Sequence, residues 1–223
     1  MIAGVTLFFA GSIGLGQMVE EIGREVIPPL ANQQLQDLNG EQGADVAPTD
    51  WSDAIGRYTK ARRQIFTSEV RQSIKREMIA ELQDAFDEGE DLQTVIRQWR
   101  EELQGAEANR ARRIGVTEVT VAIAVAILAA AALFGGETDT EMVKRWISQL
   151  DERVRRPPNS RFNHLSPHGQ TVPMGRPFVI SDEELMFPGD ISLGASLGNV
   201  INCRCLPLPL PRSSVDESEI LMT

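Results

Sequence analysis

Cysteine, histidine and aromatic residues are scarce in this chain, and the scarcity of cysteine and of aromatic residues each argues against a class of protein. The sequence holds 2 cysteines and 2 histidines among 223 residues, too few cysteines for a disulfide-stabilised scaffold. Aromatic residues make up 5% of the chain, which argues against a surface on which nucleic-acid bases stack. The formal net charge of −10 repels nucleic acid, so any contact with DNA has to be local.

Two long apolar stretches, residues 1–19 and 119–136, raise the question of a membrane. No lysine or arginine precedes Arg24, so the first stretch lacks the positively charged start of a signal peptide. Both are long enough to span a bilayer, but glycines dilute the first and the second is rich in alanine, which suits close helix packing. We therefore expect buried helices and do not expect a membrane partner.

The character of the sequence changes near Leu150, where helical periodicity gives way to frequent proline and glycine. This predicts an α+β fold, with a helical N-terminal half followed by helices and a small irregular β element. We divide the chain into an apolar segment and loop (1–50), a helical region (51–105), a compact domain (106–210) and a loose acidic tail (211–223).

Helices in the N-terminal half are predicted from apolar spacing and from capping residues. The two prolines within 27–30 are expected to break any helix. A long helix is expected to start after Thr49 or Asp50 and to end at Gly89, and a shorter one follows from Asp91.

A third, largely apolar helix is predicted over 107–134, ending at Gly135-Gly136. Thr138 and Glu141 fit a capping box for a fourth helix that would bury Trp146. The proline- and glycine-rich remainder predicts short extended segments at 169–172, 177–181, 199–206 and 206–211.

Basic residues follow one face of the long helix: Arg57, Lys60, Arg62, Arg63, Arg71, Lys75 and Arg76. Such a face could contact DNA or an acidic partner locally. The glutamates between them also fit an exposed, solvated helix face.

The two cysteines are one residue apart on a predicted extended segment, so their side chains should point the same way. Their Cα atoms would lie about 6.5–7 Å apart, at the limit of disulfide geometry. Cys203 and Cys205 with His164 and His168 make a set that could hold zinc, or the thiols pack as small apolar groups. A catalytic thiol would need one of these histidines as its base, and we expect no enzymatic activity.

Charged residues around the same region predict a polar clamp. Glu118 begins an apolar stretch and should be partly buried, so it needs a cationic partner. Arg153, Arg155 and Arg204 are the candidates, with Asp151 as a second acceptor. We expect these ion pairs to hold the fourth helix against the cysteine segment.

Several fragments then appear in a definite order: Thr117-Glu118, Trp146, Asp151-Glu152-Arg153, His164 with Gly169-Gln170, Pro188-Gly189-Asp190, and Asn202 to Cys205. In this order and spacing they resemble the phage Mu F-like family of minor head proteins, also called the head morphogenesis family. The resemblance covers about residues 108–207.

The resemblance implies a minor structural protein of a tailed-phage head. Such a protein assembles in the host cytoplasm with the portal or major capsid protein and stays in the virion near the portal vertex, in several copies. The basic helix face would then be a candidate contact with packaged DNA. Two alternatives are a membrane-active ejection protein carried in the head, which the apolar stretches motivate, and a zinc-dependent enzyme, which the cysteines and histidines motivate.

Overall fold

The computed structural model describes residues 15–62 and 117–221. Its helices are α1 Leu15–Gln42, α2 52–62, α3 Thr117–Thr138 and α4 Leu197–Val200. Its strands are β1 Met142–Ile147, β2 Thr171–Pro173, β3 Phe178–Ile180, β4 Glu183–Leu185 and β5 Leu206–Pro211. The described part of the chain is therefore α+β, with helices α1 and α2 in its N-terminal half, as the sequence predicts.

Helix α1 continues through Pro28 and Pro29, so the prediction that residues 27–30 break any helix was wrong. Its inward face buries Val19, Ile22, Ile27, Ala31, Leu35 and Leu38. A proline inside a helix removes a hydrogen bond and crowds the preceding turn, but helices in proteins are held mainly by burial of an apolar face. Here that burial on both sides of the prolines keeps one helix continuous.

Helix α2 starts where the sequence indicates, because Asp50 Oδ1 accepts a hydrogen bond of 3.0 Å from the Ser52 amide. The indole Nε1 of Trp51 donates to Asn32 Oδ1 over 2.6 Å and fixes the start of α2 against α1. The rest of the predicted long helix, and the helix predicted from Asp91, lie outside the described residues.

Helix α3 extends to Thr138 rather than ending at Gly135-Gly136. A Cβ at Gly135 would lie 2.8 Å from the carbonyl oxygen of Thr140, so glycine there permits a close chain turn, not a helix end. In the described ranges, α3 is the one helix long and apolar enough to span a membrane. It shares one core with α1 and α2, including Ala122, Ala126 and Phe134.

Residues 142–147 form strand β1, so the predicted fourth helix was wrong. Thr138 Oγ1 bonds to Phe134 O over 2.7 Å, back into α3, instead of capping a new helix. β1 pairs antiparallel with both β2 and β5, and Val143 and Trp146 are completely buried. Pairing on both sides overrides a helical period that these apolar residues also fit.

The three-stranded sheet has the order β2-β1-β5. The Arg212 amide donates to Glu141 O over 2.7 Å, on the side of β1. Backbone amides alternate in direction along a strand, so the amides of the β5 leucines, at every second position before Arg212, also face β1. The prolines occupy the alternate positions, where an amide would point outward. β5 is extended as predicted, and its outer edge offers no N–H donor.

The C-terminal residues cover the other edge of the sheet, which corrects the prediction of a loose tail. The Leu221 amide donates to Thr171 O over 2.9 Å, and Ile220 is buried beside β2. Arg212 pairs with Glu217 over 2.6 Å and with Glu141 over 3.0 Å.

A second core lies between the sheet, the β3-β4 hairpin and the chain around α4. It contains Trp146, Val172, Phe178, Ile180, Leu185, Val200, Cys203 and Cys205. The segment predicted as extended over 199–206 begins instead at the end of α4 and reaches a strand only at Leu206. This short helix and the turn after it bring the cysteines into the core.

Candidate metal centre

Three of the four predicted metal ligands meet in the second core. The Nδ1 atom of His164 lies 3.4 Å from Cys203 Sγ and 3.8 Å from Cys205 Sγ. The three ligand atoms all lie within 4.8 Å of one another, and all three side chains are buried. The cysteine side chains point the same way, as their spacing predicts, so the cluster could hold a metal ion.

The spacing of the cluster fits a tetrahedral zinc site. Zinc bonds of about 2.3 Å to sulfur and 2.0–2.1 Å to nitrogen, at tetrahedral angles, place nitrogen and sulfur about 3.5 Å apart. The two sulfur–nitrogen distances of 3.4 and 3.8 Å lie on either side of this value. A bound ion would therefore need small adjustments of side chains.

Asn199 sets the protonation of the His164 ring. Its amide nitrogen donates to Ile180 O over 3.1 Å and to Glu183 Oε2 over 2.8 Å, which leaves its Oδ1 as the acceptor for His164 Nε2 at 2.8 Å. The proton therefore belongs on Nε2, and the lone pair of Nδ1 faces the two sulfurs. Metal-binding histidines are held by such a second hydrogen bond.

Asn199 is a site residue that the sequence analysis missed. It is fully buried at the end of α4, four positions before Cys203. Its role depends on chain turns that bring α4 beside the β3-β4 hairpin. No sequence spacing signals that contact.

His168, the fourth predicted ligand, does not join the cluster. Its Nδ1 accepts a hydrogen bond of 3.2 Å from the Ser148 amide, and the residue is exposed. It fastens the turn at 165–170 to the end of β1, whereas Ser148 Oγ donates to the backbone oxygen of His164. The group of ligand atoms that lie within 4.8 Å of one another therefore does not include His168.

The two thiols differ in acidity because they interact with each other. Their mutual hydrogen bond raises the pKa of Cys203 and lowers that of Cys205, and His164 lowers the pKa of Cys205 further. Burial opposes ionisation of both. Cys205 is thus the sulfur disposed to be a thiolate, the form that binds metals.

The predicted polar clamp is divided between two places. Arg204 binds Asp151 through two contacts, of 2.7 and 2.5 Å, and this lowers the pKa of Asp151 to about 2. Arg153 lies 3.7 Å from the same carboxylate, at the surface. Arg155 donates instead to the carbonyl oxygens of Gly198 and Asn199, each over 2.7 Å, at the end of α4.

Glu118 is not part of that group, which corrects the predicted clamp. Arg62 binds it through Nε at 2.8 Å and Nη2 at 2.5 Å, and both side chains are buried. Tyr58 Oη lies 3.3 Å from the same carboxylate. The partner comes from α2 because α2 packs directly on the start of α3.

This pairing also changes the predicted basic face, because Arg62 is buried and does not face solvent. Arg57 and Lys60 are exposed on α2. The other predicted members, Arg63, Arg71, Lys75 and Arg76, lie outside the described residues.

Five of the six fragments that carry the family resemblance, all but Pro188-Gly189-Asp190, contact one another. Thr117 Oγ1 accepts a hydrogen bond of 2.7 Å from the Asn202 amide, 85 positions away. Trp146 exchanges backbone hydrogen bonds with the Gly169-Gln170 turn, and its ring meets the edge of the His164 ring with centroids 5.9 Å apart. A search of protein-family models, curated proteins and solved structures found no match to this chain.

Proposed function

We propose that this chain is a minor structural protein of a tailed-phage head. It would associate with the portal or major capsid protein during head assembly and remain in the virion. The proposal rests on the family resemblance, and one structural observation supports it. Five of the six fragments of that resemblance, all but Pro188-Gly189-Asp190, are joined in one set of contacts.

Three of these contacts join pieces that are far apart in sequence: Thr117 with Asn202, Trp146 with His164, and Asp151 with Arg204. The region that carries the resemblance therefore packs as one unit, which is compatible with the compact assembly domain that the resemblance implies.

We further propose that His164, Cys203 and Cys205 hold a zinc ion that links two segments of the fold. The ion would join the turn before β2 to the chain entering β5, two segments that the fold already brings together. Two thiolates and an imidazole are ligands typical of zinc.

Mass spectrometry of purified virions tests the head-protein proposal. We expect the protein in the particle at a low copy number relative to the major capsid protein. A phage lacking it should regain assembly when supplied with the wild-type chain or with Arg176→Ala, an exposed control, but less well with Arg204→Ala. Particles that never contain the protein would contradict the proposal.

Elemental analysis of the purified chain tests the zinc proposal separately. We expect about one zinc per chain, lost in a Cys203→Ser/Cys205→Ser variant and kept in His168→Ala. A chain without zinc would remove the metal and leave the head-protein proposal in place.

A further inference from the structure

A small cavity beside the candidate metal centre bears on how the centre is completed. We propose that the fourth coordination position is filled by one water molecule or small anion, not by a protein side chain. This inference rests on the zinc proposed above. It makes the centre a site of ligand exchange, in which an incoming anion displaces a bound water.

The described part of the chain supplies three ligands and no fourth. The group of ligand atoms that lie within 4.8 Å of one another contains His164, Cys203 and Cys205. His168 is engaged with the Ser148 amide. The carboxylate of Asp151 is bound on both oxygens by Arg204.

The cavity has the size of one small ligand. It measures about 10 Å³ and is bounded by all three ligand residues, together with Gln149, Arg153, Val154, Arg155, Asn202 and Arg204. A cavity needs about 10–15 Å³ to hold one water molecule. A larger organic ligand does not fit.

The charge around the cavity favours an anion. Two thiolates cancel the charge of a zinc ion, so the centre itself is neutral. Arg155 adds a positive charge that no carboxylate offsets among its described contacts, since its guanidinium donates to the Gly198 and Asn199 carbonyls. The fourth position therefore suits a small monovalent anion or a hydroxide.

Zinc sites closed by four protein ligands are structural, whereas an open fourth position allows exchange. The exchange replaces a bound water molecule by an anion, so the oxidation state of the metal does not change.

Substitution of zinc by Co²⁺ tests the inference on the full-length chain, because cobalt reports its coordination in the visible spectrum. We expect fluoride, a monovalent anion of about the size of water, to change that spectrum saturably in the wild type and in His168→Ala. The Arg155→Met variant should bind fluoride about tenfold more weakly, and Arg176→Ala should match the wild type. X-ray absorption of the zinc-loaded wild type should show two sulfurs, one imidazole and one light atom.

A second imidazole at the metal, or a cobalt spectrum that fluoride leaves unchanged, would overturn this inference alone. A chain that binds neither zinc nor cobalt would overturn it together with the proposed zinc. The absorption measurement needs no variant, so a folding defect in Arg155→Met does not obscure the result.

Discussion

The side-chain oxygen of Asn199 lies 2.8 Å from His164 Nε2, and both amide hydrogens of Asn199 are taken by other acceptors. The amide therefore cannot turn over without losing those hydrogen bonds. It holds the imidazole with its unprotonated nitrogen toward the two thiols. The geometry of the candidate metal centre thus depends on a residue outside the group of His164, Cys203 and Cys205.

Replacing Asn199 should weaken metal binding. We expect Asn199→Ala to lower zinc affinity by about 10–100-fold, because the ring loses its fixed tautomer and orientation. Competition with a chromophoric chelator measures the change, and Arg176→Ala is the control. Equal affinities in Asn199→Ala and the wild type would show that the ring is oriented by other contacts.

The buried pair of Arg62 and Glu118 should be strongly coupled. Arg62→Met leaves a buried carboxylate without its cation, and we expect a loss of about 3–5 kcal/mol in the free energy of unfolding. The double variant Arg62→Met/Glu118→Leu removes both charges and should recover much of that loss. Urea denaturation of the two single variants and the double variant measures the coupling. Additive losses in the double variant would argue against it.

Lys144 should make stability depend on pH in the alkaline range. Its side chain is buried, with Nζ 2.6 Å from Met186 O and 5.2 Å from the centroid of the Phe178 ring. Burial lowers the pKa of Lys144 from 10.5 to about 8. Between these two pH values the unfolded chain binds the proton more tightly than the folded chain, so folding becomes more favourable as pH rises.

The measurement compares wild type and Lys144→Met by denaturation from pH 7 to pH 10.5. We expect the stability of the wild type relative to the variant to increase above pH 8, by at most about 3 kcal/mol. Parallel profiles would mean that the folded chain does not perturb this amine.

Prolines at the outer edge of β5 should prevent pairing between chains. Pro209 is buried, and Pro209→Val adds an amide on the side of β5 that faces away from β1, so we expect self-association that rises with concentration. Leu208→Val is the matched control, because the amide of Leu208 already faces β1. Analytical ultracentrifugation over a range of concentrations checks the difference. A monomeric Pro209→Val chain would show that the edge is protected in another way.

Local chemistry made some features predictable. Alternating prolines restrict the backbone to an extended form, so β5 was foreseen. The Cys-x-Cys spacing placed both thiols on one side, and Asp50 was predicted as a capping residue. In each case neighbouring residues determine the outcome, without reference to the rest of the fold.

Features decided by distant contacts were not predictable in the same way. The apolar residues around Trp146 fit both a helical and a strand pattern, and pairing with β2 and β5 decided for the strand. Burial of α1 overrode its two prolines. The partner of Glu118 came from α2, not from the arginines closer to the cysteines in sequence.

The contact between Arg62 and Glu118 also has a consequence for how tightly chain length and stability are linked. These residues are 56 positions apart, yet their side chains touch. The entropy of closing a loop grows only slowly with its length. The number of residues between the two partners should therefore matter little to the stability of this core, whereas loss of either charge should matter greatly.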